Sequence, residues 1–419
     1  MSRNKSIISN IDWLLALLFG LFVITGWLNI YSAILDQEHM SIFDMSQKYG
    51  KQLMLITASI VLIFITLMLD GKFYERFASV IYVISILSLL GLFVFGKTVA
   101  GATSWYGIGT FSIQPSEFAK FATALAVAKY LSIPNININN IKTQLTAFAI
   151  IFLPAIIITP QPDPGSALIY ASFLFVMYRE GLNGHYIFLG FLTTTLFILS
   201  IVVDFEIIIG VSAVFIIAYS IYRKKKSKSI RHLVLYLMYI ILFLTSIDYV
   251  YENILEDRHR NRLEILLGLK HDPSGVGYNQ HQSMVAIGSG GWTGKGFLLG
   301  TQTKGDFVPE QSTDFIFCTV GEEWGFLGST LFIILFAGFI ARILYKAEQQ
   351  KLKFSRIYGY SVAMIFFFHF AINIAMVTGI APVIGIPLPF YSYGGSSLWG
   401  FTILLFIFIR LDSENHSIL

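Results

Sequence analysis

A chain of 419 residues that is 55% hydrophobic and 13% charged, with a mean hydropathy of +0.69, lies outside the range of soluble domains, which carry about 25% charged residues. Its net charge of +4 is spread over short loops between apolar runs, which excludes a basic surface for nucleic acid. The single cysteine, Cys318, excludes a disulfide within the chain.

The expected fold class is all-α, a polytopic integral membrane protein forming one membrane domain over residues 1–419. A helix crosses the hydrocarbon in about 20 apolar residues. Twelve candidate spans follow in order: 11–35, 51–69, 77–96, 116–132, 144–160, 165–179, 186–203, 206–222, 233–250, 316–340, 357–380 and 397–410. The first is too long for a signal-peptide core and reads as an uncleaved span. Asp204-Phe205-Glu206 marks a tight turn between the seventh and eighth. With both termini cytoplasmic, 19 of the 29 basic residues fall inside, including the cluster RKKKSKSIR at 223–231. The positive-inside bias then places the large polar loop, 251–315, on the extracytoplasmic face.

Four polar clusters share that face. In the first, GATSWYGIGTFSIQPSEFAK at 101–120, Pro115 suits a first helical position. Glu117 and Lys120, three residues apart, share a helix face there. They serve equally as an internal ion pair or as substrate contacts. In the second, TPQPDPGSALIY at 159–170, three prolines forbid a continuous helix and hold Asp163 on irregular backbone. Asp163 is a helix cap or a cavity-facing carboxylate. In the third, EDRHRNRLEIL at 256–266, Arg258, Arg260 and Arg262 suit phosphate oxygens or lipid headgroups.

The fourth cluster runs from Tyr278 to Gly328. Its Gly-rich IGSGGWTGKG lacks the Ser or Thr that a nucleotide-binding phosphate loop requires after Lys295, which excludes that reading. Its glycines permit tight turns and close approach of the backbone to a ligand. Asp314 stands two residues before an apolar helix, as the strongest candidate for a general base or else as that helix's cap. Ionisable groups at a membrane boundary mark function by default. A last broken segment, 379–400, walls the same cavity through Pro382, Pro387 and Pro389.

QPSEFAK, QPDPGSAL, AIGSGGWTGKGF, PEQSTDFIF, GEEWGFLG and GIPLPFYSYGGSS, in that order, resemble the SEDS family of bacterial cell-wall proteins that includes RodA and FtsW. The resemblance runs from about residue 12 to 410 and is closer to the RodA, elongation branch than to the division branch. It implies a peptidoglycan glycosyltransferase that polymerises lipid II at the outer face of the cytoplasmic membrane during elongation and cell-shape maintenance. It also implies a class B penicillin-binding protein and other elongation-complex membrane proteins as partners. Carried over by motif, Asp314 is the catalytic residue, and Glu117, Lys120, Asp163, Lys295, Arg260 and Arg262 contact substrate. A divalent cation, magnesium or manganese, is a further candidate for neutralising the pyrophosphate, although the sequence shows no complete oxygen-ligand set. The chain departs from the family in three places. Ser312 stands where the family commonly has His, Ser104 stands where an Arg often precedes Trp105, and twelve spans replace the usual ten. The rival readings are a lipid II flippase, the division-branch polymerase and a non-enzymatic scaffold.

Overall fold

The computed structural model describes residues 10–35, 41–99, 101–109, 111–203, 205–222, 234–246, 260–261, 264, 277–305 and 307–415. They divide into two compact units, one of residues 1–182 with 279–419 and one of residues 183–278.

The larger unit opens with α1 (Trp13–Ile34), α2 (Lys48–Met68) and α3 (Gly71–Phe95). A small antiparallel sheet follows, of strands β1 (Lys97–Val99), β2 (Ala102–Ile108) and β3 (Phe111–Ile113) in that order. It is an addition to the expected all-α fold. Its aromatic and β-branched residues favour strand, and Tyr106 ties it down by donating to the Ser88 carbonyl of α3 at 2.7 Å.

The chain continues through α4 (Pro115–Ser132), α5 (Ile141–Ile158), the one-turn α6 (Pro164–Leu168), a 3₁₀ turn at Ile169–Ser172 and α7 (Phe173–Arg179). After the second unit come α11 (Tyr278–Ser289), α12 (Ile316–Glu348), α13 (Lys353–Val377) and α14 (Gly395–Asn415). The second unit contains α8 (His185–Val202), α9 (Phe205–Tyr222) and α10 (Val234–Ser246). Leu196, Ile208, Ile240 and Leu244 form its core. Two helices, rather than one bent one, flank position 204, as the polar interruption predicts.

A helix occupies each of the twelve expected places. Among the described residues, however, seven are long and apolar enough to cross a membrane: α1, α2, α3, α5, α12, α13 and α14. Of the twelve expected spans, about seven are therefore clear by length and composition. The physical reasons differ from place to place. α4 carries Glu117, Lys120 and Lys129 within 18 residues. The prolines at 160–164 leave 164–179 as three short pieces.

Exposed leucines, phenylalanines and valines stud α2 and α3, so their apolar faces point outward. α14, by contrast, is buried along nearly its whole length. The core beside it is aromatic. Phe390 meets the rings of Phe19, Phe339, Phe366 and Phe401 at centroid distances of 5.1–6.0 Å. α1 approaches this core closely, because a Cβ at Gly26 would lie 2.7 Å from the Tyr391 Cα.

The two ends of α14 differ in chemistry. At its C-terminal end Arg410 pairs with Asp70 at 2.8 Å, and Lys346 bridges Asp12 and Asp412 at 3.4 and 3.1 Å. Arg342 completes this end by pairing with Asp12 at 2.9 Å. At its N-terminal end lies the Pro-rich segment that precedes it. Twenty-one helical residues separate the two, about 30 Å of rise.

Candidate active site

The strip Ile384–Leu388, between α13 and α14, is where the segments carrying Asp314, Asp163, Glu117 and Lys120 converge. Three prolines keep the surrounding segment extended, and Gly385 has a φ of 78°, a left-handed conformation natural to glycine. A Cβ placed on Gly385 would stand 3.4 Å from Asp314 Oδ2, so that carboxylate lies against the strip. Asp314 is half-buried. It precedes α12, whose cap position is taken by Phe315 and not by Asp314. The backbone leading to it is clamped from the other side. Tyr393 donates its N–H to the Ser312 carbonyl at 2.8 Å, and the Ser392 hydroxyl donates to the Thr313 carbonyl at 2.6 Å.

The short helix that Asp163 caps packs against the same strip at Gly165. Pro164 starts α6, and Asp163 caps it by accepting from the Ser166 N–H at 3.1 Å and its hydroxyl at 2.8 Å. The capping reading of Asp163 therefore holds. Its second oxygen also accepts from Gln114 Nε2 at 3.0 Å, which joins QPDPG to QPSEFAK. Gly165 makes the approach possible, since a Cβ there would lie 2.9 Å from the Ile384 carbonyl oxygen.

Glu117 and Lys120 form a buried ion pair at 2.8 Å, with 3% and 2% of their side chains exposed. Lys120 Nζ also lies 2.9 Å from His369 Nε2 and over the Phe401 ring. Burying two charges is tolerable only with such close pairing and further hydrogen bonds. On its other side His369 Nδ1 is 3.3 Å from the Pro387 carbonyl oxygen, which lies in the strip. One turn along α13, Asn373 Nδ2 donates to the Ile386 and Asp314 carbonyls at 2.7 and 2.8 Å.

Three long helices begin at this place. Gln114, the cap residue of α4, donates its N–H to Ser396 Oγ in the first turn of α14 at 2.9 Å, and α12 begins just after Asp314. Helix N-termini carry partial positive charge, which offsets the carboxylates gathered here.

Lys295 lies in a different part of the unit. Its Nζ is 2.7 Å from Glu322 Oε1 in α12. Glu322 also accepts the backbone N–H groups of Thr301, Gln302 and Thr303 at 2.7–3.0 Å and the Thr303 hydroxyl at 2.9 Å. The Gly-rich loop docks into a break in α12 at Gly325, where φ is 64°. Lys295 and Gly296 donate to the Glu322 and Glu323 carbonyls at 3.0 Å, and Phe326 donates back to Gly291 at 2.9 Å. A Cβ at Gly290 or Gly294 would come within 2.0 or 2.1 Å of α12 carbonyl oxygens. The close approach that these glycines permit is thus to α12, where the sequence suggested a ligand. Arg260 belongs to the second unit, and Arg262 lies outside the described residues.

Sequence reasoning missed four residues here. His369 and Asn373 sit inside an apolar span at i, i+4, a spacing that marks one helix face, and polar groups at such places are a signal of function. Glu322 was legible in the same way. Lys48, whose Nζ donates to Ser312 Oγ at 3.0 Å, had no signal, because nothing in the sequence brings 48 to 312. Ser312 is where the resemblance expects His, and Lys48 supplies the neighbouring side chain at that position. Among the described residues no group of three or more His, Cys, Asp or Glu could hold a metal ion.

The family model described as cell cycle protein, FTSW_RODA_SPOVE, matches residues 12–230 and 206–417. The chain belongs to this family. Within it, the chain is 33% identical over 372 residues to the peptidoglycan glycosyltransferase MrdB of Escherichia coli (strain K12), covering 88% of this chain and 86% of that one. It is 34% identical over 424 residues to the peptidoglycan glycosyltransferase RodA of Treponema pallidum (strain Nichols), covering 94% and 95%. The fold of this family member matches a chain in a solved peptidoglycan synthase complex, with a TM-score of 0.69, 23% identity and coverage of 97% and 98%. It also matches the crystal structure of the rod shape determining protein RodA of Thermus thermophilus, with a TM-score of 0.63, 22% identity and the same coverage.

Proposed function

We infer that this family member is a peptidoglycan glycosyltransferase of the cell-elongation branch, which polymerises lipid II into glycan strands. The observation that carries the reading is the convergence on the strip Ile384–Leu388 of Asp314, the α6 helix capped by Asp163, and the Glu117–Lys120 pair through His369. Helix N-termini gather at the same strip. The site end of α14 is the end away from the Arg342, Lys346 and Arg410 cluster. The positive-inside bias assigns that basic end to the cytoplasm. The site then faces the extracytoplasmic side, both termini are cytoplasmic, and α4, the 164–179 pieces and α8–α10 complete twelve crossings of one membrane domain.

In the reaction, Asp314 removes the proton from the C4 hydroxyl of the acceptor N-acetylglucosamine. The freed oxygen attacks C1 of the donor N-acetylmuramic acid from the face opposite the α-linked pyrophosphate. A β-1,4 bond forms, and undecaprenyl pyrophosphate leaves with the bonding electrons. General-base help of this kind contributes about 10²–10⁴-fold. Lys120 is buried and acts on the departing pyrophosphate through its field, together with the helix N-termini. Arg260 and Arg262 keep the phosphate role that the resemblance implies, and Lys295 acts by holding its loop against α12. A divalent cation, magnesium or manganese, would add neutralising charge at the pyrophosphate, held largely by the substrate's own phosphates. The partner is a class B penicillin-binding protein, which crosslinks the new strands.

The test is polymerisation of purified lipid II by the full chain reconstituted with such a partner. Asp314→Asn changes little volume and is expected to lower the rate at least about 100-fold in a protein of unchanged melting temperature. Strand synthesis at the wild-type rate would remove Asp314 from the mechanism. Movement of labelled lipid II across vesicles without polymer would favour the flippase.

A further inference from the structure

His369 lies in the middle of an apolar helix, is 1% exposed, and belongs to none of the sequence motifs of the site. Its two ring nitrogens face two different parts of that site. Nε2 is 2.9 Å from Lys120 Nζ, and Nδ1 is 3.3 Å from the Pro387 carbonyl oxygen. An ammonium group has donors only, and a carbonyl is an acceptor only. The tautomer follows from these partners: Nε2 carries the lone pair and accepts from Lys120, while Nδ1 carries the proton and donates to Pro387. The ring is thereby held neutral between a cation and a carbonyl, and it stands perpendicular to the Phe401 ring at a centroid distance of 4.8 Å and 89°.

One turn further along α13, Asn373 grips the next carbonyl of the same strip, that of Ile386, together with the Asp314 carbonyl. The strip lies directly under the Asp314 carboxylate at Gly385. We propose that His369 is a positioning residue for the polymerisation reaction, which couples the Glu117–Lys120 pair to the backbone strip that places the Asp314 carboxylate. His369 need not touch substrate to do this. It sets where Lys120 projects its charge and where the strip stands, and Asn373 extends the grip to Asp314. A catalytic group misplaced by about 1 Å can cost about 100-fold in rate.

This inference rests on the reading of Asp314 as the base, and the experiment separates the two. Wild type, Asp314→Asn, His369→Leu, His369→Gln and His369→Asn are assayed for kcat and KM with lipid II, as full chains reconstituted with the same partner. His369→Leu is expected to lower kcat by about 100-fold with little change in KM, because a base out of place damages the transition state and not ground-state binding. Glutamine can accept from Lys120 through its oxygen and donate to Pro387 through its nitrogen, so His369→Gln recovers most of the lost kcat. Asparagine is a methylene too short to span both partners, so His369→Asn does not.

A folded His369→Leu protein with wild-type kcat overturns the proposal, as does a loss expressed in KM alone. His369→Gln as inactive as His369→Leu also overturns it, since the imidazole would then be needed for its own chemistry. Should His369→Leu fail to fold, the Gln and Asn variants carry the test, and equal kcat in those two overturns it. If Asp314→Asn keeps wild-type activity, the base assignment fails by itself, whatever the His369 series shows.

Discussion

Asn373 Nδ2 lies 2.8 Å from the Asp314 carbonyl oxygen and 2.7 Å from that of Ile386, so one amide nitrogen joins the entry to α12 to the strip between α13 and α14. The bond to the Ile386 carbonyl is buried. Leaving a buried acceptor without a partner costs about 1–3 kcal/mol. Asn373→Ala is expected to lower the melting temperature and the polymerisation rate together. Asn373→Asp, nearly the same shape, should be worse than Asn373→Ala, because its ionised carboxylate turns acceptors toward two carbonyl oxygens. Thermal unfolding in detergent beside lipid II polymerisation would show the order, and an aspartate variant more stable than the alanine would contradict it.

The Glu117–Lys120 pair is almost completely buried beside the site. Removing one member of such a pair strands the other and costs about 3–5 kcal/mol. Lys120→Met and Glu117→Gln should each destabilise the fold by that order. The double variant should lose less than the sum of the singles, since no charge is left unpaired. Additive losses in a double-mutant cycle would mean that the two side chains act separately.

Glu322, fully buried, collects donors from Lys295 and from three successive backbone N–H groups. Glu322→Gln replaces one acceptor oxygen with a donor facing donors. Hydrogen exchange over 295–303 should rise sharply in Glu322→Gln and to a lesser degree in Lys295→Met, with the combined variant no worse than Glu322→Gln. If Lys295→Met instead raised KM for lipid II and left exchange of that loop unchanged, Lys295 would be a substrate contact and not a loop anchor.

Gly165 has no room for a side chain. A Cβ would stand 2.9 Å from the Ile384 carbonyl oxygen and 3.3 Å from that of Gly385, backbone atoms that move only with the whole strip. Gly165→Ala should therefore push QPDPG away from the strip that carries Asp314. We expect about a 100-fold fall in polymerisation with a smaller effect on stability, read by the same two assays. Unchanged activity would show that the strip tolerates displacement.

The motifs themselves were legible because each is a local conflict between backbone chemistry and an apolar setting. Pro160, Pro162 and Pro164 cannot extend a helix, and the structure breaks there. Glu117 and Lys120 at i, i+3 must share a face, and they pair. Asp163 before Pro164 reads as a cap, and it caps. The span count was less legible, because hydropathy marks where a helix is apolar and not whether it is long and unbroken enough to cross. The small sheet at 97–113 was missed for a related reason. Its strands are too short to show a period, and the tie from Tyr106 to the Ser88 carbonyl of α3 joins residues 18 apart.

The sequence by itself determined that this is a polytopic membrane protein whose polar residues cluster in a few broken segments. Local periodicity and the cost of burying charge are enough for that. Tertiary structure alone decided which clusters work together. Lys295, adjacent in the chain to the opening of the Asp314 loop, is drawn to Glu322, while His369 and Asn373, from an apparently plain span, stand between Lys120 and Asp314. Such choices arise from hydrogen bonds between residues dozens to hundreds of positions apart, formed when helix packing has excluded the water that would otherwise satisfy them. No local pattern encodes that competition.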